Sequence, residues 1–297
     1  MRLLVLGGTK NLGRHVVEAA LRDGHEVTLF NRGLTNPSLF PAVRRIVGDR
    51  SAPDALASGE WDGVIDMSGF LVRDVSLSAA VLRDRCDHYT YMSSIAVYAS
   101  KTAVGMTESA ALLDWPAGAP EDLFTMDLYG PSKVRNESLL TATFGSRSTA
   151  IRSGFVIGPY NPDFGNWGWA LAHGLPMECA ARPGQPIQYI DARDLAAFLL
   201  QVTLKRIPGP FNAVGPTLRM SELAETWQSV VPDSPPIDWS PAVDRFQLPH
   251  DGSNDGTFQL SNDRALANGL TLRSDAEVAR DYVAWVHDGN VPPAPPH

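Results

Sequence analysis

Tyr129 and Lys133 stand four residues apart in the run Tyr129-Gly130-Pro131-Ser132-Lys133. On a helix this spacing puts both side chains on one face, one turn apart. A phenol titrates at about 10 and is a poor acid–base group at neutral pH. A neighbouring ammonium stabilises the phenolate and lowers that value. Ser94 ends the strand-like run 88–94 and offers a hydroxyl that can donate to a carbonyl oxygen. Phenol, ammonium and hydroxyl together suit carbonyl reduction or alcohol oxidation beside a hydride carrier.

The element that must hold such a carrier opens the chain. Leu3-Leu4-Val5-Leu6 reads as a buried parallel strand. The turn Gly7-Gly8-Thr9-Lys10-Asn11-Leu12-Gly13 follows at once. An amphipathic helix then carries Leu12, Val16, Val17, Ala20 and Leu21 on one face and stops at Asp23-Gly24. A second strand covers 26–30. Strand, glycine turn, helix and strand in this order form a dinucleotide-binding unit. Its glycines admit a pyrophosphate and its helix N-terminus offers free N–H groups. Asn31-Arg32 stands at the end of the second strand, where a carboxylate would select NAD by bonding the ribose 2′-hydroxyl. With Lys10 in the turn, two cations are placed to meet a 2′-phosphate. The expected cofactor is therefore NADP(H).

Further strands are expected over 43–47, 62–68, 88–94, 148–156, 187–190 and 210–214. Helices are expected over 75–84, 129–143, 194–202, 221–230 and 275–286. This alternation predicts an α/β fold, a doubly wound parallel sheet of Rossmann type with a small C-terminal substrate lobe. The core is expected over 1–160 with returning segments at about 187–216, and the lobe over 161–186 and 217–297. Residues 99–126 lack periodicity and read as a long loop or lid. The proline-rich tail 291–297 reads as extended. Phe164, Trp167 and Trp169, in a run of turn formers, are candidates for an apolar substrate wall.

The 297 residues are 44% hydrophobic and 20% charged, ordinary values for a globular protein. The net charge of −8 divides into −1 over 1–158 and −7 over 159–297. An acidic second half is a poor platform for nucleic acid, whose binding rests on phosphate neutralisation. No run approaches a membrane span, and no signal peptide is read. Cys86 and Cys179 have no metal-type spacing, and the seven histidines show no metal motif. The expectation is a cytoplasmic enzyme with reduced thiols, no metal, no nucleic-acid or membrane partner and a monomeric or homodimeric state.

The chain resembles the short-chain dehydrogenase/reductase superfamily, in its extended or atypical branch. The resemblance rests on the glycine turn 7–13, Ser93-Ser94-Ile95-Ala96-Val97-Tyr98, the Tyr129–Lys133 run, the segment 151–159 and the segment 188–196, all in the family's order. It is nearest to the subset with a basic residue in the glycine turn, which includes bacterial reductases and the chloroplast stem-loop RNA-binding proteins. The resemblance implies that Ser94 orients the carbonyl, that Tyr129 donates the proton and that Lys133 also holds the nicotinamide ribose. It implies that Gly7, Thr9, Lys10, Asn11, Leu12 and Gly13 cradle the pyrophosphate, with Asn31 and Arg32 beyond. It places Met67, Ser68 and Gly69 at the ribose, Asp49 with Arg50 at the adenine, and Ser93, Gly154 and Phe155 towards the nicotinamide. Ser94, Tyr129, Phe164, Trp167 and Gln188 are the candidate substrate contacts. Three positions depart from the family pattern: Lys10 replaces the middle glycine, Ser153 replaces a proline, and 35 residues separate Ser94 from Tyr129.

The function these features imply is an NADPH-dependent ketoreductase acting on a small, fairly apolar carbonyl compound of secondary-metabolite or aromatic polyketide type, as in antibiotic biosynthesis. Two alternatives stand beside it: a nucleotide-sugar epimerase with tightly bound NAD, and a non-catalytic NAD(P)-sensing or RNA-binding protein. Dehydratase chemistry is disfavoured, because Ser94-Ile95-Ala96 replaces the Thr-Asp-Glu triplet of that subgroup.

Overall fold

The computed structural model describes residues 1–120, 122–162, 164, 167–179, 181–239 and 251–292. The expectations for Asp163, Gly165, Asn166 and the tail 293–297 lie outside the described residues.

In chain order the elements are β1 (Arg2–Leu6), α1 (Asn11–Arg22), β2 (Glu26–Asn31), β3 (Arg44–Val47), β4 (Gly63–Asp66), α2 (Val72–Leu82), β5 (Tyr89–Ser94), α3 (Met126–Phe144), β6 (Ser148–Ser153) and β7 (Phe155–Ile157). There follow α4 (Trp167–Ala172), β8 (Pro186–Ile187), β9 (Tyr189–Asp191), α5 (Ala192–Leu204), β10 (Gly209–Ala213), β11 (Leu218–Arg219), α6 (Met220–Ser229), α7 (Asp263–Ala267) and α8 (Asp275–His287). Seven strands form one parallel sheet in the order β10-β6-β5-β4-β1-β2-β3. The strand order reverses between β1 and β4, so a crevice opens there beyond the strand C-termini. The expected doubly wound sheet is therefore present.

Both faces of the sheet are covered, as an all-parallel sheet requires. Leu3 and Val5 of β1 pack with α1 and α5, while Leu4 and Leu6 pack with α2 and α3. The period of two along one apolar strand thus feeds two cores. A third apolar cluster lies beyond β7 and gathers Trp167, Trp227 and Tyr282.

Two expected strands are divided. The run 148–156 leaves the main sheet after Ser153, and β7 pairs instead with β9. The run 187–190 is broken at Gln188 between β8 and β9, which belong to separate small sheets. Helix α3 begins earlier than expected, because Thr125 caps it by accepting the Leu128 N–H at 3.3 Å. Pro131 therefore sits inside the helix rather than in its first turn.

The segment 99–126 is only partly a loose loop. Leu113 N–H donates to Val97 O, Ala99 N–H to Ala111 O and Gly105 N–H to Gln259 O. The Glu108 carboxylate accepts the Asn212 N–H of the edge strand β10 at 2.8 Å. This contact satisfies an edge donor that would otherwise template pairing with another chain. The reading of a lid is corrected for 99–113, which fastens the sheet edge. Leu123, Phe124 and Met126 at the far end are exposed.

Candidate active site

The glycine turn joins β1 to α1 directly beneath the crevice. Gly8 has φ +93°, and a Cβ there would stand 2.8 Å from the Leu29 side chain. Only glycine fits both that conformation and that packing. Lys10, by contrast, is extended at φ −142° and its side chain is exposed, so the family's middle glycine is not required here. The non-glycine residue of the turn at positive φ is Asn11, φ +46°. Lys10 precedes α1 without a side-chain cap, and no acidic residue stands in the first turn. The first N–H groups of α1 thus face the crevice as an anion site.

A groove of about 680 Å³ runs along this turn. Of the expected cofactor residues, Gly7, Thr9, Lys10, Asn11, Leu12, Gly13, Asn31, Arg32, Asp49, Arg50, Met67 and Ser68 line it. Sequence reasoning missed Phe70, Asp74 and Met92, which line it as well. Phe70 directly follows Gly69 in the turn after β4, so its place beside the expected ribose contacts was available as a signal. Lys10 and Arg32 are exposed, and the Arg32 charge also acts on the Asp49 carboxylate across the groove. The size, the uncapped helix and the two open cations fit a dinucleotide.

Several expected cofactor contacts are engaged otherwise or lie outside the groove. Arg50 is not an open cation: its guanidinium grips Asp66 at 2.7 and 2.8 Å and donates to Ser78 Oγ at 2.7 Å. Asp66 is wholly buried and also accepts from Tyr89. Burial opposes its charge, but Arg50 and these hydrogen bonds hold the carboxyl below the usual range. The Ser93 hydroxyl is turned inward and donates to Glu137, which in turn pairs with the buried Arg152. Asp49 is exposed, and hydrogen bonds from Ser51 hold its carboxyl below the usual value. Gly69, Gly154 and Phe155 do not line the groove. Phe155 stacks on Phe258, with ring centroids 5.4 Å apart.

At the strand end, Ser94 caps the short turn 95–97 by accepting the Ala96 N–H at 3.2 Å. With one lone pair so engaged, its O–H remains a donor. Helix α3 brings the Tyr129 phenol beside that hydroxyl. Burial raises the phenol pKa, with the Ser94 hydrogen bond acting against it. Lys133 Nζ donates to Met92 O at 2.8 Å and Gly69 O at 3.0 Å, and lies 5.7 Å from the Tyr129 ring centroid. Burial pulls its pKa down to about 8. The expected lowering of the phenol by the ammonium is corrected. Desolvation of Tyr129 dominates, and Lys133 directs its protons at two backbone carbonyls.

The structure brings Ser94, Tyr129 and Lys133 together beside Phe70 and Met92 of the groove. It does not bring Phe164, Trp167 or Gln188 to them as open contacts. Trp167 is 1% exposed, and its indole N–H donates to Glu178 O. Phe164 is 6% exposed and packs edge-on against Tyr189 and Trp227. Gln188 clamps the backbone, donating to Gly215 O and Leu260 O and accepting the Leu260 N–H. These three assignments are corrected to packing and clamping roles.

Among the described residues no His/Cys/Asp/Glu group forms a metal site, and no helix is long and apolar enough to cross a membrane.

No protein-family model matches the chain. The chain is 26% identical over 220 residues to the chloroplast stem-loop binding protein of 41 kDa b of Arabidopsis thaliana, covering 68% of this chain and 54% of that protein. It is 29% identical over 164 residues to 2'-dehydrokanamycin reductase of Streptomyces kanamyceticus, covering 52% of this chain and 43% of that protein. The chain thus spans about half the length of these curated relatives. Among solved structures, UDP-glucose 4-epimerase of Thermus thermophilus in complex with NAD has a TM-score of 0.69 at 18% identity, with 97% of this chain and 99% of that chain covered. At that identity the likeness is one of fold.

Proposed function

We propose that this chain, short-chain dehydrogenase/reductase-like in sequence and fold, is an NADPH-dependent ketoreductase acting on a small-molecule carbonyl compound. The observation that carries the reading is the meeting of Ser94, Tyr129 and the buried Lys133 beside Phe70 and Met92 of a dinucleotide-sized groove. Likeness to a protein named as a reductase supports it.

When bound in the groove, a nicotinamide dinucleotide would supply the hydride that a carbonyl carbon accepts. Ser94 donates its hydroxyl proton as a hydrogen bond to the carbonyl oxygen and draws charge onto it. Tyr129, whose phenol burial keeps protonated at neutral pH, transfers its proton to that oxygen. The carbonyl leaves as an alcohol. Lys133, held by Gly69 and Met92, places an ammonium under the site. Lys10 and Arg32, open in the groove, favour the phosphate of NADP(H) over the bare ribose of NAD.

The test is NADPH consumption against a broad ketone panel. Reduction of at least one ketone, lost by about 10²-fold or more in Tyr129→Phe, is the expected result. Failure with every ketone contradicts the reading. An epimerase uses the same Ser94–Tyr129 pair and has the fold likeness to a UDP-glucose 4-epimerase on its side. It predicts dinucleotide that co-purifies and no net consumption of NADPH. An RNA-binding role, suggested by the name of the Arabidopsis relative, is disfavoured by the net charge of −8.

A further inference from the structure

The apolar surface at this site does not come from the aromatics that the sequence singles out. Phe70 and Phe124 stand edge to face with centroids 5.7 Å apart, and Phe124 meets Tyr129 in the same way at 6.3 Å. Lys133 Nζ lies 4.9 Å from the Phe70 ring centroid. A line of rings therefore leads from the nucleotide groove, which Phe70 lines, to the Tyr129 phenol. Phe70 is 45% and Phe124 43% exposed, and Leu123 and Met126 beside Phe124 are more exposed still. Large aromatic side chains left this open are unusual unless something covers them.

The charges in the cleft beside this wall do not suit an anion. Arg73 and Asp122 line a neighbouring cleft with Ser76 and Leu77, and Arg73 is paired with Asp74 at 3.2 Å. A diphosphate arriving here would meet Asp122 and no open cation among those four side chains. A flat apolar group meets ring faces and edges in the geometry that aromatic pairs prefer.

We infer that Phe124 and Phe70 form the specificity wall of the site and seat an aromatic ring attached to the reacting carbonyl. This inference rests on the ketoreductase reading and narrows it to aryl ketones. It also assigns a task to the end of the long segment before α3, which delivers Phe124 to the phenol.

The experiment compares acetophenone with 2-octanone, two ketones of equal carbon number, in wild type and in Phe124→Ala and Phe124→Tyr. Phe124 lies outside all three apolar clusters, so NADPH affinity within about twofold of wild type verifies the fold of each variant. The wall predicts that wild type prefers acetophenone. It also predicts that kcat/KM for acetophenone falls about tenfold more than for 2-octanone in Phe124→Ala, with recovery in Phe124→Tyr. An equal fall for both ketones, or none, overturns it.

If wild type reduces neither ketone, the ketoreductase reading fails for these substrates and the wall is judged by binding. Saturation-transfer NMR of acetophenone on the protein–NADP+ complex then decides. A signal stronger than for 2-octanone and lost in Phe124→Ala supports the wall. Equal signals, or a signal unchanged in the variant, overturn it.

Discussion

Gly130 passes so close to Ala96 that a Cβ on the glycine would stand 2.3 Å from the Ala96 carbonyl oxygen. That approach seats the start of α3 on the turn after β5 and brings Tyr129 to Ser94. In Gly130→Ala the helix must move away, because the obstructing atom is backbone. The expected loss is about 1–3 kcal/mol of stability, together with a much larger relative loss of kcat. Thermal melts and ketone turnover on the same sample check it. A variant with wild-type kcat would show that the contact does not position the phenol.

Lys133 titrates near 8 in the folded protein because it is buried, against about 10.4 in an unfolded chain. Between these values the unfolded state binds more protons, so this group makes stability rise with pH. Urea unfolding of cofactor-free wild type and Lys133→Met, below and above that midpoint, measures the difference. The wild type is expected to gain on the order of 3 kcal/mol relative to the variant as pH rises through the window. A constant difference between the two proteins across the window would refute the buried-ammonium assignment.

Asp66 carries a depressed pKa inside a fully buried ion pair with Arg50. Its stabilisation is present above the unfolded value of about 3.9 and is lost as pH falls through the lower folded value. Asp66→Asn leaves the guanidinium with no counter-charge and is expected to cost about 3–5 kcal/mol at neutral pH. The gap to wild type should close in acid, below the unfolded value. Equal urea midpoints at neutral pH would remove the pair from the account.

Gln188 makes three buried hydrogen bonds to backbone at Gly215 and Leu260. Gln188→Leu strands those groups, at about 1–3 kcal/mol each. The variant should melt earlier yet keep the KM of its folded fraction for ketone. A raised KM with an unchanged melt would return Gln188 to the substrate.

The sequence was most legible where function and local geometry coincide. The glycine turn, the helix after it and the missing carboxylate at Asn31-Arg32 are short-range patterns, and their residues line one groove. Ser94 and the Tyr129/Lys133 spacing were readable for the same reason. What escaped depends on partners distant in the chain. Trp167 looks exposed among turn formers until Trp227 and Tyr282 close over it. Arg50 looks like a free cation until Asp66, sixteen residues on, takes its guanidinium. Phe124 gave no signal at all, since its neighbour Phe70 lies on another element.

If Lys10 and Arg32 select NADPH, binding alone must show that choice. Fluorescence titration of the purified protein with NADPH and NADH, in wild type and Arg32→Ala, reads it without any substrate. NADPH should bind tighter by at least about tenfold, or about 1.4 kcal/mol, and the margin should collapse in the variant. Equal or tighter NADH binding by wild type, or a margin unchanged in Arg32→Ala, would overturn the NADPH-dependent reading.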